Sequence, residues 1–297
     1  MTNVLDKVMY FGTQVGRHLL LRSKGCPNCS DESFGLIERK AVVTELRECD
    51  SCSLMYRFPT DEETLNRSFY QEEYEQGFTT DLPDDVTLKI LLSTKFSGHE
   101  KSYQHILDLL EKFGVGVGSR IFDYGCSWGY GSWQFGEHGL DVSAFEISKT
   151  RAAFARNKLN VKVFDELEEL ERNASLHGGF DVFFSNHVIE HVPRPSEVVG
   201  LARKFLAKGG LFIAITPNGS MAFRKAAPRA WSQSWGKVHP NLLSDNFWAR
   251  EFVEEDVFIG SLPHGLGGAD EWSRGGGRVF SDSSGPELLC AARLHDD

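Results

Sequence analysis

Residues 120–131 read Arg120-Ile-Phe-Asp123-Tyr-Gly125-Cys126-Ser127-Trp-Gly129-Tyr-Gly131, and the fold is decided here. Arg120–Tyr124 predicts a short strand with an acid near its end. The three glycines that follow permit positive φ and let backbone N–H groups approach a ligand closely. Ser132 to His138 has helical periodicity, and Leu140 to Phe145 reads as a second apolar strand. Glu146 then stands about 20 residues beyond the turn, where a carboxylate reaches both hydroxyls of a ribose. Strand, glycine turn, helix and acid-tipped strand make a nucleoside-binding βαβ unit.

The glycine spacing separates two classes of ligand. A dinucleotide turn wants Gly-x-Gly-x-x-Gly, with the pyrophosphate on the helix N-terminus. Here the order is Gly125-x-x-x-Gly129-x-Gly131, with Asp123 two residues ahead of it. An acid at that point suits a cation and repels a pyrophosphate. The run resembles motif I of class I S-adenosylmethionine-dependent methyltransferases, an acid, x, Gly, x, Gly, x, Gly. Asp123, Gly125 and Gly129 match, and Ser127 stands where the middle glycine would be. The resemblance implies an α/β, Rossmann-like, seven-stranded methyltransferase sheet with helices on both faces. It also implies S-adenosylmethionine as cofactor, held by Asp123, Gly125, Cys126, Ser127, Gly129, Glu146, Ile147, Asp165 and Asn186. In that set the 125–131 turn meets the amino-acid portion, Glu146 the ribose and Asp165 the adenine amino group.

Downstream, Ser148 caps a helix to Asn157, Val161–Phe164 is a third strand, and the charged stretch Glu166–Arg172 is a solvated helix. Phe180–Ser185 is apolar enough for a buried parallel strand. It ends in Asn186-His187-Val-Ile-Glu190-His191-Val-Pro193, which resembles the His-Val-Leu-Glu-His-Val-Pro segment of many small-molecule methyltransferases. In an open α/β sheet this strand end faces the same crevice as Gly125 and Glu146. His187 is therefore the candidate general base, with Glu190 or His191 to orient it. The plainer readings are a pocket-lining His187, and a loop tied together by Glu190 and His191.

Ser196–Lys208 predicts a helix closed by Gly209-Gly210 as its C′ residues. Leu211–Ile215 is the fifth strand, and Val257–Ser261 and Glu287–Arg293 are the last two, the final one antiparallel. Between those, 265–285 is expected to be a long mobile loop. Arg224, Trp231, Trp235, His239, Pro240, Asn241 and Trp248 suit either a polar, ring-bearing substrate or ordinary packing.

Toward the N-terminus, Cys26-Pro-Asn-Cys29 and Cys49-Asp-Ser-Cys52 are separated by nineteen residues. Two such knuckles match four-thiolate structural zinc and leave no open position for catalysis. Disulfides are opposed by the paired spacing and by a reducing compartment. Phe34 to Leu46 forms the hairpin between the knuckles. Thr60 to Glu63 reads as a capping box. Phe69, Tyr70, Tyr74 and Phe78 form either a docking stripe or an aromatic lid over a sulfonium. Ser102–Phe113 is an amphipathic helix leading into the first strand.

The 297 residues allow one full α/β domain and a small accessory one. We divide them into an N-terminal segment with zinc ribbon, 1–58, and a methyltransferase domain, 59–297. The latter comprises a helical cover (59–118), a cofactor core (119–219) and a substrate-side segment with the last strands (220–297). A net charge of −10 argues against nucleic acid as partner. No apolar run spans a membrane and no signal-peptide core is evident, so a cytoplasmic location is expected. The reading is methyl transfer to a small molecule, similar to enzymes acting on carbohydrates or natural-product intermediates. The alternatives are an RNA methyltransferase that grips its substrate with Lys24, Arg39, Lys40, Arg47 and Arg57 on the ribbon, and a non-catalytic cofactor-binding scaffold.

Overall fold

A computed structural model describes residues 25–40, 44–60, 81–236 and 239–295. The aromatic run 69–78, most of the capping box and Lys24 lie outside the described residues.

Eight strands form the main sheet. Its parallel part holds β4 (Arg120–Tyr124), β5 (Asp141–Phe145), β6 (Lys162–Phe164), β7 (Phe180–Asn186) and β8 (Leu206–Pro217). Three more complete it: β10 (Asp256–Leu262), β11 (Arg278–Phe280) and the antiparallel β12 (Glu287–Arg293). The spatial order is β11-β10-β12-β8-β7-β4-β5-β6. The order reverses at β4, which lies between β5 and β7, and there the strand ends open the crevice of an open α/β sheet. All seven expected strands are present, and β11 is an addition.

Alternation along the strands builds a core on each face. Phe122, Phe183 and Phe212 point to one side, against Phe205 of α6 (Pro195–Phe205) and the ribbon. Ile121, Val182, Phe184 and Ile213 point to the other, against α2 (Gln104–Lys112) and α10 (Ala269–Gly275). The remaining helices are α1 (Asp85–Ser93), α3 (Tyr130–Glu137), α4 (Lys149–Leu159), α5 (Leu167–Arg172), α7 (Met221–Ala226), α8 (Pro228–Gln233) and α9 (Asp245–Glu251). Among the described residues, no helix is long and apolar enough to cross a membrane.

Two expectations are corrected. The stretch 265–285 is not a structureless loop, because it contains α10 and β11. The reason is Trp272, which is buried edge-on against Phe113 with ring centroids 5.6 Å apart and donates its indole N–H to the Gly277 carbonyl. Nor do Gly209 and Gly210 cap a helix. Helix α6 passes directly into β8 at Leu206, whose backbone is extended. The glycines instead form a bulge where β8 slips register against β7, with Gly209 at φ +70°.

The ribbon is larger than a hairpin. Strands β1 (Phe34–Lys40), β2 (Thr44–Cys49) and β3 (Met55–Phe58) are antiparallel neighbours. The fourth, β9 (Asn241–Leu242), returns from far along the chain to pair with β3.

Candidate functional site

The glycine turn sits at the tip of β4. The N–H groups of Gly125 and Cys126 both donate to the Phe145 carbonyl, at 2.8 and 3.0 Å, which ties the turn to the end of β5. Gly125, Ser127 and Gly129 all have positive φ, so Ser127 takes the left-handed conformation that suits the glycine expected there. A Cβ on Gly125 would lie 2.3 Å from the Val188 side chain, and one on Gly131 2.3 Å from the Tyr103 ring. The segment after β7 and the start of α2 are thus pressed onto the turn.

Two buried carboxylates flank it. One Glu146 oxygen accepts the Ser127 N–H at 2.9 Å and the other the Ser148 N–H at 2.8 Å. Burial raises the Glu146 pKa in spite of these bonds and the nearby Arg151. Asp123 accepts the Ser132 hydroxyl at 2.6 Å, and burial pushes its pKa up to about 7. The hydroxyl of Ser127 and the indole N–H of Trp128 are buried beside the turn with no hydrogen-bond partner. Cys126 is buried, and its thiol is raised well above its ordinary range for that reason. Ile147 packs at the edge of the core that holds Phe122, Tyr124 and Phe145. These features fit a ligand that carries an ammonium and ribose hydroxyls: carboxylates for both, and an orphaned hydroxyl in the same turn.

Asp165, at the end of β6, meets Arg156 at 2.7 Å. At the end of β7, Asn186 donates to the Tyr103 hydroxyl at 3.3 Å. His187 follows at φ +54°, its N–H held by the Ile215 carbonyl at 2.8 Å. Its Nε2 lies 2.7 Å from Glu287 and its Nδ1 3.5 Å from Glu190. Burial opposes the imidazolium, but the two carboxylates outweigh it and push the His187 pKa up to about 10. Glu190 is fully buried, 3.7 Å from His191 Nε2, and neither of its oxygens makes a hydrogen bond. Sequence reading assigned no role to Glu287 or Tyr103. Its candidate base and orienters do come together, and Glu287 joins them.

In the ribbon, the Sγ atoms of Cys26 and Cys52 are 3.6 Å apart, and those of Cys29 and Cys49 are 3.5 Å apart. All four lie within 4.8 Å of one another. Sulfurs at 2.3 Å from a shared tetrahedral ion sit about 3.8 Å apart, so the cluster fits zinc. Their shared hydrogen bond couples the Cys26 and Cys52 thiols, pulling Cys52 down, toward the thiolate a metal needs, and pushing Cys26 up. Cys26 and Cys49 are themselves buried in the core shared with α6. Asn28 bonds Ser196 of α6 twice, at 2.8 and 2.9 Å.

Among the described residues, the basic side chains of the ribbon do not form one free face. Arg39 and Arg47 both pair with Glu45, at 3.0 and 2.7 Å. Lys40 donates to the carbonyls of Ser232 and Trp235, and Arg57 is buried against the Gly236 carbonyl. Trp231, Trp235 and Trp248 are buried, which favours packing over substrate contact for that segment. Arg224 covers the Trp231 ring, Pro240 accepts the Arg57 N–H, and Asn241 and His239 face the 187–192 segment.

The profile of the methyltransferase-domain family matches residues 98–255, more than half of the chain. Curated relatives are named ubiquinone biosynthesis O-methyltransferase. The one from Psychrobacter cryohalolentis is 30% identical over 108 residues, covering 34% of this chain and 42% of its own. The one from Sodalis glossinidius is 27% identical over 143 residues, covering 45% and 55%. The chain therefore spans about half, or less, of the length of these relatives. Among solved structures, the geranyl diphosphate C-methyltransferase of Streptomyces coelicolor A3(2) superposes with a TM-score of 0.52 at 16% identity. That match covers 78% of this chain and 99% of the other, and shows a shared fold.

Proposed function

This chain belongs to the methyltransferase-domain family, and on that premise we propose that it transfers a methyl group from S-adenosylmethionine to a hydroxyl of a small molecule. The observation that carries the reading is Glu146. Its buried carboxylate, at the tip of β5, clasps the glycine turn through Ser127 and keeps lone pairs for two ribose hydroxyls. Asp123 is the counter-charge for the cofactor's ammonium. The Ser127 hydroxyl, Gly125, Cys126, Gly129 and Ile147 shape the turn around it. Asn186 and Tyr103 close the pocket, and Asp165 reaches the adenine amino group from beside Arg156.

When bound, S-adenosylmethionine supplies an electrophilic methyl on a sulfonium. The rest falls to the chain. Holding the acceptor oxygen in line is worth about 7–11 kcal/mol at best. His187 takes the hydroxyl proton, with Glu287 and Glu190 stabilising the imidazolium that results. The same carboxylates leave His187 protonated at rest near neutral pH, so it is a strong base present in a small active fraction. His191 holds Glu190 in place.

The names of the matched relatives support oxygen as the acceptor atom and a small molecule as its bearer. A carbohydrate or natural-product intermediate is the acceptor class proposed. The ribbon is proposed to hold structural zinc on Cys26, Cys29, Cys49 and Cys52. Calorimetric titration with S-adenosylmethionine and its demethylated product, with NAD as control, tests the cofactor. Micromolar binding of the first two alone is expected, and binding of NAD alone would overturn the reading.

A further inference from the structure

Glu190, His191 and His239 form a second cluster beside the pocket. We propose that these three side chains bind a divalent cation through two imidazole nitrogens and one carboxylate. Their ligand atoms all lie within 4.8 Å of one another. Ligands each about 2.1 Å from a common ion are separated by about 3–4 Å, so a small tightening completes the site.

Three independent features point the same way. Glu190 is wholly buried, yet neither of its oxygens has a hydrogen bond. A buried carboxylate normally has them, and a cation would satisfy it. His239 Nδ1 lies 3.0 Å from the Ser234 carbonyl, a bond in which the ring must donate. That fixes the tautomer and leaves the Nε2 lone pair for a metal, the usual arrangement of a ligating histidine. Third, the His191 and His239 rings stand 4.8 Å apart, on segments held together by the Asn241–Val192 bond of 2.7 Å. His187 also faces Glu190 but is engaged by Glu287, so it lies outside the ligand set.

Two imidazoles and a carboxylate suit cobalt, nickel, iron or zinc better than magnesium or calcium. Three protein ligands leave positions open, in contrast with the closed thiolate ribbon. That an acceptor oxygen would take one of these positions rests on the methyl-transfer reading; the binding itself does not.

The test is titration of Co²⁺ into the full chain with its ribbon loaded with zinc, followed by calorimetry and absorption. One equivalent is expected, with weak d–d bands and no thiolate charge-transfer band. His239→Ala and Glu190→Gln should each weaken binding at least about tenfold with zinc content and circular dichroism unchanged. No uptake beyond displaced ribbon zinc, or unaltered affinity in His239→Ala, would overturn the site. If Glu190→Gln does not fold, His239→Ala decides alone. S-adenosylmethionine titrated into the same samples separates the two readings: cofactor binding without cobalt removes only the metal site, and cobalt binding without cofactor removes only the other.

Discussion

Glu287, the first residue of the antiparallel strand β12, meets His187, the first residue beyond the parallel strand β7, at 2.7 Å. The pairing follows from topology. Antiparallel β12 begins at the edge where its parallel neighbour ends, and its first residue lies opposite Pro217 at the end of β8. A carboxylate is thereby delivered to the crevice from the far end of the chain.

If this pair moves the acceptor's proton, His187→Ala should lower turnover by about 10²- to 10⁴-fold with cofactor affinity kept. Glu287→Gln keeps the hydrogen bond but loses the charge, and should cost less, about 10- to 100-fold. Steady-state rates beside calorimetric affinities check both. Full activity in His187→Ala would remove it as the base.

Glu146→Ala should weaken S-adenosylmethionine binding by about 1.5–3 kcal/mol, the loss of hydrogen bonds to a charged group. It should also lower the melting temperature, because the N–H groups of Ser127 and Ser148 lose their acceptors. Unaltered affinity in calorimetry would sink the ribose assignment.

Asp123 gives a pH dependence. Its folded pKa of about 7 lies above the ordinary 3.8, so the folded protein holds a proton that the unfolded chain gives up. Stability from this group is complete below pH 3.8 and is lost as pH rises through about 7. Asp123→Asn should flatten that fall, as read by denaturant unfolding at several pH values. Cofactor binding, which favours the ionised carboxylate beside an ammonium, should tighten as pH rises toward 7 and release a proton below it.

Cys26→Ser or Cys49→Ser should empty the ribbon of zinc, measured by atomic emission, and destabilise the whole chain, since both sulfurs belong to the shared core. Zinc content equal to the parent protein's would refute the four-thiolate site.

Much of this was legible in residue order. The glycine turn, the acid-tipped strands and the paired knuckles are local patterns whose chemistry depends on spacing alone, and the structure brings Asp123, Glu146 and Ser127 together as that spacing implies. What escaped depends on where strands go. Glu287 gains meaning only once β12 is placed beside β8. Two-residue β9 is too short to leave a periodic signal. In 265–285, the abundance of glycine and serine masked one buried tryptophan that organises α10 and β11. The Gly209-Gly210 pair fits a helix terminus as well as a bulge, and only the register between β7 and β8 separates the two.

Because β9 belongs to the ribbon's sheet, the ribbon is not a cassette. The polypeptide leaves the cysteine knuckles, builds most of the large sheet, and comes back to finish the small one. A fragment ending before residue 241 would leave β3 with an open edge. The returning strand begins two residues after His239 and is bonded to the loop that carries His191. An oxidant or chelator acting on the four sulfurs would therefore disturb the crevice without entering it, and the enzyme's activity would report on the thiol state of a site remote in sequence.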